Sequence, residues 1–260
     1  MSRDARPNLA HLLAPFALAA ALLIAWEAAC RLQHLPVYLL PSPTAVAAAL
    51  GANAGSLFGS AWVTLSMALS ALILAAAVAL PLALLAALSP LFERAVQPIA
   101  VTFQVTPIVA VAPLVVIWAG LEHPERATTA LAALAAFFPL FSGALTGLKS
   151  ADPDLERLFD LYGATSGQRL WRLRVPAATP FVLEGFKVGV GLSVIGAVVA
   201  EISAGSGGSQ GLAWRIMETS HQLRTAETFA ALASLAILAV ALHAVTSFAE
   251  TQILRNWRGR

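Results

Sequence analysis

Hydrophobic residues fall in long blocks along this chain. Stretches without Asp, Glu, Lys or Arg cover 12–26, 32–92, 95–121, 127–148, 188–200 and 228–249. A bilayer's hydrocarbon core is about 30 Å thick, so a crossing helix needs roughly 20 apolar residues. A central charge costs roughly 2.5–3.5 kcal/mol. The longest block is not one helix. Pro36 to Pro43 reads as a loop, because the Leu-Pro-Ser-Pro run at 40–43 cannot continue a helix. A short helix is expected over 44–52, and a turn from Asn53 to Gly59. The pattern predicts spans near 12–30, 60–88, 96–119, 127–147, 182–202 and 228–250, an all-α polytopic membrane protein of about six transmembrane helices. Pro107 and Pro113 share the third span and predict a broken or kinked helix there, either lining a pathway or only packing.

The connection from Lys149 to Pro180 is the long one. Asp152-Pro153 reads as an N-cap followed by proline at the first helical position. Leu155, Leu158, Phe159 and Tyr162 recur at helical spacing, with Glu156, Arg157 and Asp160 on the other face. Gly163 is placed to stop that helix. Thr165 to Gln168 fits a capping box, and a second short helix follows through Arg169, Leu170, Trp171, Arg172 and Leu173 until Pro176 ends it. Such short helices are marginal alone in water. The apolar stripe therefore packs on the chain's own spans or docks into a partner, and periodicity leaves both open.

Composition agrees with the pattern. Of the 260 residues, 58% are hydrophobic and 12% charged, against about 45–50% and 25% in soluble domains. Disordered chains are poor in apolar residues and are excluded. Net charge is only +2, too small for a general nucleic-acid binder. With the N-terminus inside, inner segments hold eleven of the sixteen basic residues and outer segments four, with Lys187 in the fifth span. That asymmetry predicts both termini on the cytoplasmic side and accounts for the basic pI. A DNA-reading helix pair at Arg169, Arg172 and Arg174 is disfavoured, because the pair is wedged between spans and nearby acids offset its charge. Cys30 is the single cysteine, so no internal disulfide exists. Arg3 and Arg6 ahead of Ala28-Ala29-Cys30 hint at a lipoprotein signal, but Glu27 stands where an aliphatic residue belongs, and an uncleaved first span is expected.

Little in the chain reads as catalytic. Gly207 to Gly211 matches Gly-x-Ser-x-Gly around Ser209, but a nucleophile elbow needs a strand before it and none is predicted. No phosphate-cradling Gly-x-x-x-x-Gly-Lys-Ser/Thr string exists; Gly143 to Ser150 has Leu148 intruding. The histidines are scattered, and no metal site is expected. Glu201 ends a charge-free run, a position that marks a pathway or gating group or an interfacial one. Gln104 and Ser193 offer hydrogen bonds either to a polar solute or between helices. Glu184 and Lys187 are spaced to pair at the inner interface. Gly185, Gly189, Gly196 and Ala200 form a small face for close helix packing.

The loop carries a resemblance. Gly163-Ala164-Thr165, and then Leu173-Arg174-Val175-Pro176 with nine residues intervening after the glycine, resemble the cytoplasmic EAA loop of ABC importer permeases. The Glu-Ala-Ala positions hold Arg157, Leu158 and Phe159, with Glu156 one position early. Trp26-Glu27, Leu40 to Pro43, Pro107 to Leu114, Phe137 to Pro139, Gly147 to Ser150 and Val198 to Glu201 are similar to the nitrate/sulfonate/taurine group, across roughly 20–250. The resemblance implies a type I importer permease, homodimeric, multi-pass in the bacterial inner membrane. It divides the chain into a tip, first span and external loop (1–55), a permease core (56–250) with the coupling loop at 149–180, and a basic tail (251–260). The implied ATPase-docking residues are Leu158, Phe159, Leu161, Tyr162, Gly163, Ala164, Thr165, Gln168, Arg169, Trp171, Arg172, Leu173 and Pro176. The implied path residues are Gln104, Pro107, Pro113, Ser193 and Glu201. ATP and magnesium would sit on separate ATPase subunits, no cofactor on this chain, and a periplasmic solute-binding protein would deliver a sulfonate-like or pyrimidine-precursor-like solute. The rivals are an ATP-independent secondary transporter and a membrane-embedded serine hydrolase using Ser209.

Overall fold

A computed structural model describes residues 9–119, 124–204 and 210–258, and these are helical nearly throughout. The elements are α1 (Leu9–Leu32), α2 (Pro43–Ala52), α3 (Ala54–Leu88), α4 (Pro90–Val105), α5 (Ile108–Ala119), α6 (Pro124–Lys149), α7 (Pro153–Leu161), α8 (Ser166–Arg169), a π-helical turn (Leu170–Arg174), α9 (Val175–Ala204), α10 (Leu212–His221) and α11 (Thr225–Arg258). Among the described residues, five helices are long and apolar enough to cross a bilayer, or six if α4 and α5 count as one broken span.

The core is the α3–α6–α9 bundle, and its chemistry is small side chains. Ala68, Ala71, Ala75, Ala79, Ala83 and Ala86 stripe α3 at helical spacing and are buried. Lipid is as apolar as leucine, so helices in a membrane associate through close backbone packing rather than apolar burial. The α6–α9 seam takes this furthest. A Cβ on Gly196 would lie 2.6 Å from Ala132 Cα, and one on Gly147 would lie 2.8 Å from Ala178 Cα. Any side chain there would push the two helices apart. Gly185 and Gly189 face α6 in the same seam, as their spacing predicted.

Two sequence expectations are corrected and one is met. Residues 54–59 are helical rather than a turn, leaving Asn53 alone as the joint between α2 and α3. The break expected in the third span is present: two helices bent by 104° at Thr106-Pro107, with Pro113 inside α5 and no second break there. Pro176 does not end a helix: the chain is continuously helical from Ser166 to Ala204. A proline inside an α-helix clashes with the carbonyl four residues back. Here the wider π-turn at Leu170–Arg174 precedes it, with Val175 N–H donating to the Leu170 carbonyl, and absorbs the misfit.

Candidate functional site

The hairpin at 152–174 is built largely as its sequence dictates. Asp152 caps α7, its carboxylate accepting from Asp154 N–H at 2.8 Å with Pro153 in the first turn. The helix ends in a Schellman arrangement: Gly163 N–H donates to the Asp160 carbonyl (3.0 Å) and Ala164 N–H to that of Phe159 (2.9 Å). Gly163 sits at φ +64°, a region that costs other residues about 1–2 kcal/mol. Thr165 Oγ1 then accepts from Gln168 N–H (3.3 Å) while Gln168 Oε1 accepts from Thr165 N–H (2.9 Å).

The hairpin is held shut at its base. Arg174 Nε donates to Glu156 Oε1 at 2.7 Å, Arg169 Nε lies 3.4 Å from Glu156 Oε2, and Arg169 also bonds Asp160. Leu170 is buried among Leu148, Ala178, Leu84 and Ala87, which seats the hairpin on α3, α6 and α9. Of the predicted docking residues, Arg169 and Leu173 therefore face their own chain. Arg169 is tied to two carboxylates, and Leu173, within the π-turn, is 8% exposed. Phe159, Ala164 and Pro176 are half-buried, while Gly163, Thr165, Gln168 and Arg172 are exposed. The apolar tip turns outward: Leu161 is 85% exposed, Tyr162 82% and Trp171 66%, with Leu158 beside them in sequence and also exposed. Large apolar groups displayed together mark an interaction surface.

The second feature is a groove of about 470 Å³ between α4, α5, α6 and α9. On α6 it is lined by Leu134, Phe138, Ser142 and Thr146, four residues apart; α9 contributes Phe181, Glu184, Val188 and Leu192, and α4 contributes Phe103 and Gln104. From Thr146 to Leu134 it runs about 18 Å along α6, at 1.5 Å per residue. Beyond Leu134, Ala112 of α5, Leu131 of α6 and Ala200 of α9 pack together fully buried and close it. The bend at Pro107 is what lays α5 across that end. The near end lies one turn from Lys149, whose Nζ donates to both Glu93 carboxylate oxygens at 2.6 Å.

Of the predicted path residues, Gln104 lines the groove and the other four do not. Pro107 and Pro113 are exposed on α5's side of the bend. Ser193 is buried and its hydroxyl donates to the Val190 carbonyl at 2.9 Å. Glu201 is 2% exposed beneath α10, where Oε2 accepts from Ala213 N–H at 3.0 Å. Gly211, the N-cap of α10, has no side chain to cap with, and a Cβ there would collide with this carboxylate. Thr64 completes the cap, its Oγ1 accepting from Leu212 N–H at 2.9 Å. Sequence reasoning missed α10, because its ten residues are too few and too polar to announce a span. It also missed Ser142 and Thr146, although their spacing with Phe138 puts all three on one face. Residues 205–209, with Ser209 of the elbow-like string, lie outside the described residues, and no group of three or more His, Cys, Asp or Glu side chains suited to a metal occurs among those described.

Comparison with known proteins fits a transport component. The profile of the binding-protein-dependent transport system inner membrane components matches residues 79–259. The formylaminopyrimidine transport permease ThiX of Halalkalibacterium halodurans is 34% identical, over 91% of this chain and 92% of its own. The riboflavin transport permease RibX of Chloroflexus aurantiacus is 32% identical over 90% and 86%. The taurine transport permease TauC of Escherichia coli is 31% identical over 86% and 82%. These relatives are transport permeases, not enzymes, which removes the hydrolase reading. An all-α chain with up to six apolar spans, a seated hairpin and a profile match over most of its length has one consistent assignment: it belongs to the ABC-transporter permease family of binding-protein-dependent inner membrane components.

Proposed function

We propose that this chain is the membrane-spanning half of an ATP-driven importer for a small organic solute. The observation that carries this is the contrast within the hairpin. Its base is locked to its own bundle, while Leu161, Tyr162 and Trp171 are turned away from it. A separate ATPase, holding ATP and magnesium, would receive that tip. Two copies of this chain in the inner membrane, termini cytoplasmic, would form the path, and a periplasmic binding protein would deliver the solute. The family's relatives carry formylaminopyrimidine, riboflavin and taurine by name, so heterocycles and sulfonates are the two candidate classes.

Coupling then follows from the fold. Movement of the tip reaches α6 through Leu148 and α9 through the unbroken helix from Ser166. Both helices line the groove, whose far end is closed by α5. Nucleotide on the ATPase would favour one of two bundle arrangements by binding it more tightly. The test is a cysteine at Leu161 in membranes of the native host, probed for a cross-link to an ABC ATPase subunit. The cross-link should form, and Gly163→Glu should abolish uptake while leaving the protein inserted. Unchanged uptake in Gly163→Glu, or a tip that cross-links only within its own subunit, would refute the coupling role.

A further inference from the structure

The groove's chemistry selects between the two solute classes. We infer that it binds a flat, neutral or cationic nitrogen heterocycle bearing N–H groups, and does not bind a sulfonate or other small anion. The inference rests on the permease reading in one respect, that the groove lies on the solute's route.

Charge is the first argument. The strongest oxyanion donors are free arginine and lysine side chains, which add charge to the hydrogen bond. Among the described residues no basic side chain lines this groove, and the one ionisable lining residue is Glu184. The two ammonium groups nearby are both held. Lys149 is bonded by both oxygens of Glu93, and Lys187 by Glu184 (2.9 Å) and Glu250 (3.1 Å). Three carboxylates thus face two ammonium groups, a surplus of one negative charge. An anion entering here meets repulsion and no donor of opposite charge. A heterocycle with amino or ring N–H groups meets acceptors.

Hydrogen-bonding capacity is the second. Hydroxyls in the spans mostly donate to carbonyls of their own helix, as Ser70, Thr102, Ser203, Ser234 and Thr246 do. Ser142 and Thr146, one turn apart on the groove wall, have no hydrogen-bond partner among the described residues, and neither does the Gln104 amide. Glu184 uses only Oε2 toward Lys187, which leaves Oε1 for a ligand. So an amide, two hydroxyls and a carboxylate oxygen face the groove with capacity unused. An edge that alternates donor and acceptor nitrogens suits this set. A sulfonate, which only accepts, would leave Glu184 Oε1 unanswered.

Shape is the third. Phe103, Phe138 and Phe181 come from three different helices to line the same groove. Aromatic rings stack on flat π-systems and attract cations over their faces. Nothing about a tetrahedral sulfonate uses them. The volume of about 470 Å³ lies within the usual range for small-molecule sites.

The test uses the full chain purified in detergent, with Thr146→Cys as a reporter. Cys30, the only native cysteine, is buried and does not compete for labelling. A small thiol reagent is applied with 4-aminopyrimidine or with methanesulfonate as the probe. 4-Aminopyrimidine should slow labelling at least threefold and methanesulfonate should not. Glu184→Gln should raise the half-protecting concentration of 4-aminopyrimidine about tenfold, with the labelling rate in its absence unchanged. Equilibrium dialysis of the same two probes against the unmodified chain checks the site with Thr146 intact. Protection by methanesulfonate equal to or better than that by 4-aminopyrimidine, no protection by either, or indifference to Glu184→Gln would overturn the inference. Cross-linking of the Leu161 tip is independent: a tip that reaches the ATPase beside an unprotected groove sinks the solute class alone, and the reverse result sinks the coupling role alone.

Discussion

The continuous helix from Ser166 to Ala204 is anchored near each end by a carboxylate, and the two anchors differ in kind. At the hairpin end Glu156 of α7 accepts from Arg174 and lies against Arg169, partly open to water. At the other end Glu201, inside α9 itself, is fully buried and accepts a backbone N–H from the first turn of α10. Water can replace the first set of contacts when they open. It cannot reach the second, where an unmet N–H or an unpaired carboxylate costs its whole desolvation. The hairpin end is thus held by contacts that water can replace, while the α10 end behaves as a fixed pivot. A lever needs one of each.

The difference is sharpest in the pair Glu201 and Gly211. Glu201→Ala should lower stability by about 2–3 kcal/mol, the range for losing a buried charged hydrogen bond. Gly211→Ala should cost nearly as much, although its φ of −75° is ordinary, because the added methyl drives the carboxylate off Ala213. The double variant Glu201→Ala/Gly211→Ala should be no less stable than Glu201→Ala alone, since the collision then has no partner. Thermal unfolding of the three proteins in one detergent reads this directly. Additive losses would mean that Gly211 matters for some other contact.

At the opposite end Glu156→Ala should cost no more than about 1 kcal/mol, as partly exposed ion pairs do. Its larger consequence is in function. Arg169 and Arg174 lose their common partner, α7 parts from the following helix, and tip movement no longer reaches α9 as a unit. Uptake should fall severalfold while ATP hydrolysis by the assembled complex persists. Equal losses of both activities would place Glu156 in assembly rather than transmission.

Sequence exposed these two regions unequally. In the hairpin each signal was local: Asp152-Pro153 starts a helix, Gly163 stops it, and Thr165 to Gln168 starts the next. Each acts on backbone groups within five residues, so the order of residues is enough. Pro176 misled because its clash is relieved by a π-turn whose first residue, Leu170, is seated on other helices. The Glu201 cap was hidden for the same reason, since its partner N–H belongs to a helix that no apolar period reveals. The groove fell between these cases. Phe138, Ser142 and Thr146 share a face by spacing alone, but that the face is open rather than packed depends on where the break at Pro107 swings α5.

The smallest effect belongs to Thr165, and it separates local from transmitted stability. Loss of an N-cap usually costs about 1 kcal/mol. Here the capped stretch runs on without interruption into α9, which is held by the α6 seam along its length. The N–H groups freed by Thr165→Ala are also exposed and find water. The expected change is therefore about 0.5 kcal/mol, at the lower end of that range, and it should appear as faster amide exchange at Ser166 to Gln168 rather than as a shifted unfolding midpoint. A drop in midpoint as large as that of Glu201→Ala would show that the first turn after Gly163 supports the whole helix, and the hairpin would then be the fixed end of the lever.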